Sequence, residues 1–78
     1  MQQISRREQI AANTRAAKAR RQATDADIAQ ALDITRPGVS DRMNGKARWQ
    51  IEELEKLAAF LGTTLDELLA PAETEAVS

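Results

Sequence analysis

Side chains that could bind nucleic acid are concentrated around residue 40 of this 78-residue chain. Arg36 carries a planar fork of N–H donors that fits the O6 and N7 acceptors of guanine. Asp41 could accept a hydrogen bond from cytosine N4, and Pro37 could pack on a thymine methyl group. Arg42 flanks the same surface. These four residues are our candidates for contacts to base edges, although a surface ion pair with a nearby arginine explains Asp41 almost as well.

A second set of polar groups in this region suits the phosphate backbone. Hydroxyl, amide and cationic groups bind phosphate oxygens, and such contacts orient a protein on DNA without reading its sequence. The candidates are Thr24, Thr35, Ser40, Asn44, the amide of Gly45, Lys46 and Arg48.

The composition argues against enzyme chemistry. The sequence contains no cysteine and no histidine, which removes thiolate nucleophiles, disulfides and histidine-ligated zinc. A general base would have to be a carboxylate or a lysine. We therefore expect no enzymatic activity, no metal, no cofactor and no small-molecule ligand.

Charge is divided along the chain, although the net charge is only −1. Residues 1–22 hold six basic side chains and one acidic side chain, whereas residues 51–78 hold seven acidic side chains and one lysine. This division indicates one face that meets phosphates and another that points away from them. Ordinary solvated helix faces are the alternative, and we prefer that explanation for the acidic half.

The side chains above need a scaffold, and capping signals predict where its helices begin. Three pairs place a hydroxyl residue three positions before a carboxylate: Ser5 and Glu8, Thr24 and Asp27, Thr64 and Glu67. The first helix is predicted over residues 6–21, the second from about residue 25, and a short fifth helix after residue 64, stopped by Pro71.

Residues 24–45 have the pattern of two short helices joined by a tight turn at Asp33. Proline favours the first turn of a helix and biases the preceding residue away from helical geometry. We therefore predict that the third helix begins at Pro37, with Arg36 projecting from its N-terminus, and that it ends at Asn44 and Gly45. At about 100° per residue from an inward Val39, the outward residues are Pro37, Ser40, Asp41 and Asn44.

Apolar residues at helical spacing predict the fourth helix, over residues 51–61, and the core. Trp49 is assigned to the core as a plug between helices, in preference to stacking on a sugar or base. The predicted core is Ile10, Ile28, Ala29, Leu32, Ile34, Val39, Met43, Trp49, Leu54, Leu57, Ala58, Leu61, Leu65 and Leu68. The sequence thus predicts an all-α fold of five short helices, with one domain at 1–70 and a disordered acidic tail at 71–78.

The chain resembles the Cro/repressor-type (XRE-like) helix-turn-helix proteins from about Ile10 to Leu69. The resemblance rests on an ordered set of short matches: Asp27-Ile28-Ala29, Leu32-Asp33-Ile34-Thr35-Arg36, Val39-Ser40 and Asn44-Gly45-Lys46. It implies a lambda-repressor-like fold whose third helix reads the major groove of double-stranded DNA. It also implies a transcriptional regulator, a small repressor or Cro-like protein of a bacterium or phage.

Three positions depart from the family pattern. Asp33 replaces the usual turn glycine, and Arg42 stands where an apolar residue is normal. Asp25 replaces a glutamine whose amide donates to a DNA phosphate, and its carboxylate would repel that phosphate. In the family the first helix mainly supports the next two, so its basic residues are assigned to structure, with Arg6 and Arg7 as additional candidates for phosphate contacts.

Two other functions are alternatives for this sequence. A protein-interaction module of the same fold, such as an antitoxin-like or anti-repressor subunit, would bind a protein through the acidic half. RNA binding is less well supported, because it relies on exposed aromatic residues and this chain has one tryptophan and one phenylalanine. For the regulator we expect a cytoplasmic protein without membrane segments. It would form a weak homodimer, or one that assembles only on DNA, through helices four and five.

Overall fold

The computed structural model describes residues 5–71 and has five helices in that range. They are α1 (Arg6–Arg21), α2 (Asp25–Leu32), α3 (Arg36–Met43), α4 (Ile51–Leu61) and α5 (Leu65–Leu68). No strand occurs in this range, so the predicted all-α fold is confirmed. The tail predicted at 71–78 lies, apart from Pro71, outside the described residues.

Hydroxyl residues cap three of the helices where the sequence predicted. The Ser5 hydroxyl accepts a hydrogen bond from the Glu8 amide at 3.1 Å, and the Glu8 carboxylate accepts one from the Ser5 amide at 3.3 Å. Thr24 and Asp27 make the same reciprocal pair at the start of α2. These caps satisfy amides that have no partner within the helix, and they fix where α1 and α2 begin.

The helices α1 and α2 each end at a residue in the left-handed backbone conformation. Asp33 has φ 59°, which confirms its place in the turn between α2 and α3. Gln22 has φ 61° at the end of α1, although glutamine is not a residue typical of turns. Glycine is the residue that usually takes this conformation at a helix end.

The core lies between α2 and α4, and α1 closes it with small residues. Ile28, Val39 and Leu57 are completely buried. From α1 the buried residues are Ala11, Thr14 and Ala17, and the Thr14 hydroxyl donates to the Ala11 carbonyl at 2.8 Å. Small side chains allow α1 to approach closely, so that α3 rests on both α1 and α2.

Four residues predicted for the core lie at its edge. They are partly buried and pack against the central cluster: Ile10, Ile34, Trp49 and Leu65. Ile10 lies near the start of α1, where it lines a surface cleft with Trp49, whereas the next residue, Ala11, is 1% exposed.

Candidate nucleic-acid interface

The start of α3 places Arg36 on the surface. Thr35 is the N-cap, and its hydroxyl accepts a hydrogen bond from the Gly38 amide at 3.1 Å. Arg36 is therefore the first helical residue and Pro37 the second, so the predicted start at Pro37 was late by one residue. The cap overrides the preference of a pre-proline residue for extended geometry.

An outward row of α3 is accessible to a ligand. Arg36, Pro37, Asp41 and Asn44 are exposed, and Ser40 is half-buried between them. Within residues 5–71 neither Arg36 nor Asp41 takes part in an ion pair. The alternative explanation of Asp41, a surface pair with an arginine, is therefore not seen in this part of the chain.

A shallow depression of about 410 Å³ lies at one end of this row, lined by Asp25, Arg36, Pro37 and Ser40. It brings the first turn of α2 beside the first turn of α3. The Asp25 carboxylate does not face Arg36 as an ion-pair partner. Its Oδ1 lies 2.8 Å from Nζ of Lys18, in the last turn of α1.

Arg42 lies away from the outward row. Its guanidinium binds the Glu53 carboxylate through Nε at 3.0 Å and Nη2 at 3.3 Å. Nη1 donates to the Gly38 carbonyl at 3.0 Å. Arg42 was expected beside the base-reading residues, but the structure turns it towards α4, because Glu53 supplies the partner that a cation on the inner side of α3 needs.

The candidates for phosphate contacts flank the row at both ends. Thr24 and Thr35 cap α2 and α3, so their hydroxyl oxygens already accept amide hydrogen bonds. Lys46 and Arg48 are exposed in the loop between α3 and α4. The Gly45 amide, predicted to bind phosphate, donates instead to the Arg42 carbonyl at 3.3 Å, because it closes the end of α3.

The contact that holds the end of α3 was not predicted from the sequence. Arg15, expected to be a solubilising charge on α1, donates from Nη1 to the Met43 carbonyl. Only the fold brings these residues together, since they are 28 positions apart. The contact ties α1 to the last turn of α3, where unpaired carbonyls favour a cation.

A basic cleft lies beside the same loop. Arg6 and Arg7 at the start of α1 line it with Ile10, Arg48 and Trp49, and its volume is about 340 Å³. Arg7 and Arg48 also border the adjoining depression beside Gly45. The two arginines of α1 and the loop cation thus share one edge of the molecule.

The residues from Ser5 to Pro71 hold no cluster of acidic side chains suited to a metal ion. None of the helices in this range combines the length and the apolar character that crossing a membrane requires.

Comparison with known families decides the classification. A model of the helix-turn-helix family HTH_3 matches residues 17–68, about two thirds of the chain. The chain belongs to this helix-turn-helix family. The match spans α2 and α3, and it confirms the resemblance to XRE-like proteins inferred from the short motifs.

Solved structures share the HTH_3 fold over most of the chain. A hypothetical transcription factor, NHTF from Neisseria, is 25% identical with a TM-score of 0.79, over 88% of this chain and 79% of its own. The clp gene regulator ClgR from Corynebacterium glutamicum is 22% identical with a TM-score of 0.82, over 87% and 72%. A transcriptional regulator from Listeria innocua is 25% identical with a TM-score of 0.71, over 88% and 64%. No curated protein matches the chain.

These similarities establish the coarse class. The chain has the fold of helix-turn-helix transcription regulators, a DNA-binding fold, and the solved structures it resembles are described as transcription factors or regulators.

Proposed function

We propose that this protein is a sequence-specific regulator of transcription that binds double-stranded DNA and acts as a repressor or Cro-like protein. The observation that carries the proposal is the exposed guanidinium of Arg36, which opens α3 and has no ion-pair partner within residues 5–71. In this family the third helix enters the major groove, where base pairs present distinct patterns of donors and acceptors.

The outward row of α3 is the proposed reading surface. Arg36 would bind O6 and N7 of one guanine through two of its N–H groups. Asp41, one and a half turns further along α3, would accept from cytosine N4, and Pro37 would contact a thymine methyl group. Arg42 is excluded from this surface because Glu53 and the Gly38 carbonyl bind its guanidinium.

Phosphate contacts are proposed at both ends of the row. Thr24 and Thr35 would bind one strand beside the starts of α2 and α3, through hydroxyl hydrogens that the caps leave unused. Asn44, Lys46 and Arg48 would bind the phosphates at the other end of α3. Ser40 lies between the two groups and would contact the nearer strand.

The oligomeric state and the origin of the protein are also part of the proposal. We propose a homodimer that uses α4 and α5 and places its two copies of α3 about 34 Å apart, one turn of the duplex. The acidic residues of α4 and α5 would then face away from the phosphates. A bacterial or phage origin fits this type of regulator.

Selection from a pool of random duplexes tests the proposal. The protein should enrich one motif, and its affinity for that motif should exceed its affinity for unrelated DNA by roughly a thousandfold or more. Enrichment of no motif would contradict it. A stoichiometric protein partner recovered together with an absence of DNA preference would favour the protein-interaction module.

A further inference from the structure

Arg42 and Glu53 form a bidentate ion pair that joins α3 to α4. The Nε to Oε1 distance is 3.0 Å and the Nη2 to Oε2 distance is 3.3 Å. The exposed fractions of the two side chains are only 20% and 17%, so solvent screens the pair weakly. An arginine fork on a carboxylate fixes direction as well as distance.

Each side chain of the ion pair also forms a hydrogen bond with a backbone group. Nη1 of Arg42 donates to the Gly38 carbonyl at 3.0 Å, in the first turn of α3. Oε1 of Glu53 accepts from the Gln50 amide at 2.9 Å, at the N-cap of α4. The ring of Trp49 lies under the guanidinium, 5.9 Å from ring centre to Cζ. The contacts therefore run without a break from the backbone of α3 to that of α4.

Gly38 provides the space for this arrangement. A Cβ atom at this position would lie 3.1 Å from Nη1 of Arg42 and 3.1 Å from the Thr35 hydroxyl. A larger residue at this position would crowd both the folded-back arginine and the Thr35 cap.

The backbones of α3 and α4 do not pack against each other, so the ion pair is not duplicated by backbone contacts between these two helices. No Cα atom of α3 lies within 8 Å of a Cα atom of α4, whereas α3 packs directly on α1 and α2. Arg42 also lies about 160° around the helix from the outward Asn44. The ion pair thus holds the side of α3 that faces away from the outward row, and a loss of the pair would let the helix turn or tilt.

We infer that Glu53 is a positioning residue for DNA reading, acting through Arg42 to fix the angle at which α3 presents Arg36 and Asp41. The inference rests on the proposed function and deepens it. Glu53 would act without touching DNA, because its carboxylate binds Arg42 and the Gln50 amide. Replacing a whole buried ion pair often changes stability little, whereas removing one partner leaves an unpaired charge and destabilises the fold. The positioning role is therefore measured by sequence discrimination and not by stability.

Three variants test this role: Glu53→Gln, Arg42→Lys and, as a control, Glu55→Gln. Glu55 is exposed on the same helix, so its replacement changes the charge equally without touching the network. Arg42→Lys keeps the charge of the protein but loses the fork. Each variant is checked for folding by circular dichroism, and its affinity is measured for the motif selected by the wild type and for an unrelated duplex at one salt concentration.

Glu53→Gln should lower the ratio of specific to non-specific affinity by roughly tenfold. This is comparable to the effect of one mismatched base pair in a binding site. Arg42→Lys should do the same, and the fluorescence of Trp49, the single tryptophan, should change in both free variants. Glu55→Gln should keep the wild-type ratio. If Glu53→Gln does not fold, Glu53→Asp takes its place, because the shorter side chain keeps the charge but draws the carboxylate away from the arginine fork.

Three results overturn the inference and separate it from the proposed function. An unchanged ratio in Glu53→Gln shows that the pair does not position α3. A reduced ratio in Arg42→Lys alone shows that Arg42 contacts DNA directly. A wild-type protein that selects no motif overturns both the inference and the proposed function.

Discussion

Nζ of Lys18 lies 2.8 Å from Oδ1 of Asp25, joining the last turn of α1 to the first turn of α2. About a third of each side chain is exposed. Asp25 also borders the depression that Arg36 and Ser40 line. The lysine therefore offsets a negative charge at the edge of the proposed DNA surface, where a carboxylate would otherwise repel phosphate.

Asp25→Gln should strengthen DNA binding several-fold for both specific and unrelated duplexes. The change removes the repulsion, releases Lys18 and supplies an amide that can donate to phosphate. Stability should fall by about 1–2 kcal/mol, somewhat more than for a fully exposed ion pair, because only about a third of each side chain is exposed. Fluorescence anisotropy measures the affinity, with Asp66→Asn on α5 as the control for charge. Equal gains from both variants would show that Asp25 is remote from the DNA.

Arg48→Ala should weaken binding to all duplexes alike and reduce the dependence of affinity on salt. Each phosphate contact contributes about 0.9 to the slope of log K against log salt, so the slope should become shallower by about that amount. Arg20→Ala is the matched control, since Arg20 borders a depression beside Glu67 of α5 and Ala70, which follows α5. A slope that Arg48→Ala leaves unchanged would remove this residue from the interface.

Leu57→Ala should lower the free energy of unfolding by about 2–5 kcal/mol, because it leaves a cavity at a fully buried position. Ile51→Ala on the same helix should cost less than about 1 kcal/mol, since 47% of Ile51 is exposed. Urea titration of both variants measures the difference. Equal losses would mean that the core does not lie where the structure puts it.

Substitutions at two helix ends should change the free energy of unfolding in opposite directions. Gln22 and Gly62 both have positive φ, at 61° and 73°, after α1 and α4. Gln22→Gly should raise the free energy of unfolding and Gly62→Ala should lower it, each by about 1 kcal/mol. A Cβ at Gly62 would find its nearest neighbour at 3.9 Å, so backbone strain alone determines that loss. Thermal unfolding measures both changes in stability. A loss of stability in Gln22→Gly would contradict the left-handed backbone conformation of residue 22.

The fold could be predicted because its signals are local. Ser5, Thr24 and Thr64 are each followed by a carboxylate that marks a helix start, and the apolar spacing of 51–61 marks α4. The end of α1 at residue 21 was predicted, but the left-handed conformation of Gln22 was not, because glutamine carries no turn signal.

The candidate site was only partly predictable. The outward positions of α3 follow from helical periodicity around Val39, but the partners of Arg42 and Arg15 lie 11 and 28 residues away in sequence. Sequence spacing within one helix cannot show that Glu53 draws Arg42 inward or that Arg15 reaches the Met43 carbonyl. Such pairs depend on how separate helices pack.

The most direct test of the proposed reading surface removes one hydrogen-bond acceptor from the DNA, by replacing N7 of a guanine with a C–H group. In the motif that the wild type selects, each guanine is replaced in turn by 7-deazaguanine, and the affinities of the wild type, Arg36→Ala and the charge control Arg20→Ala are compared. Arg36→Ala should lose about 10- to 100-fold in specific affinity, and Arg20→Ala should not. One replacement should weaken the wild type yet leave Arg36→Ala unchanged. If Arg36→Ala keeps its specific affinity, or if no replacement weakens the wild type, Arg36 does not read a guanine and the account fails.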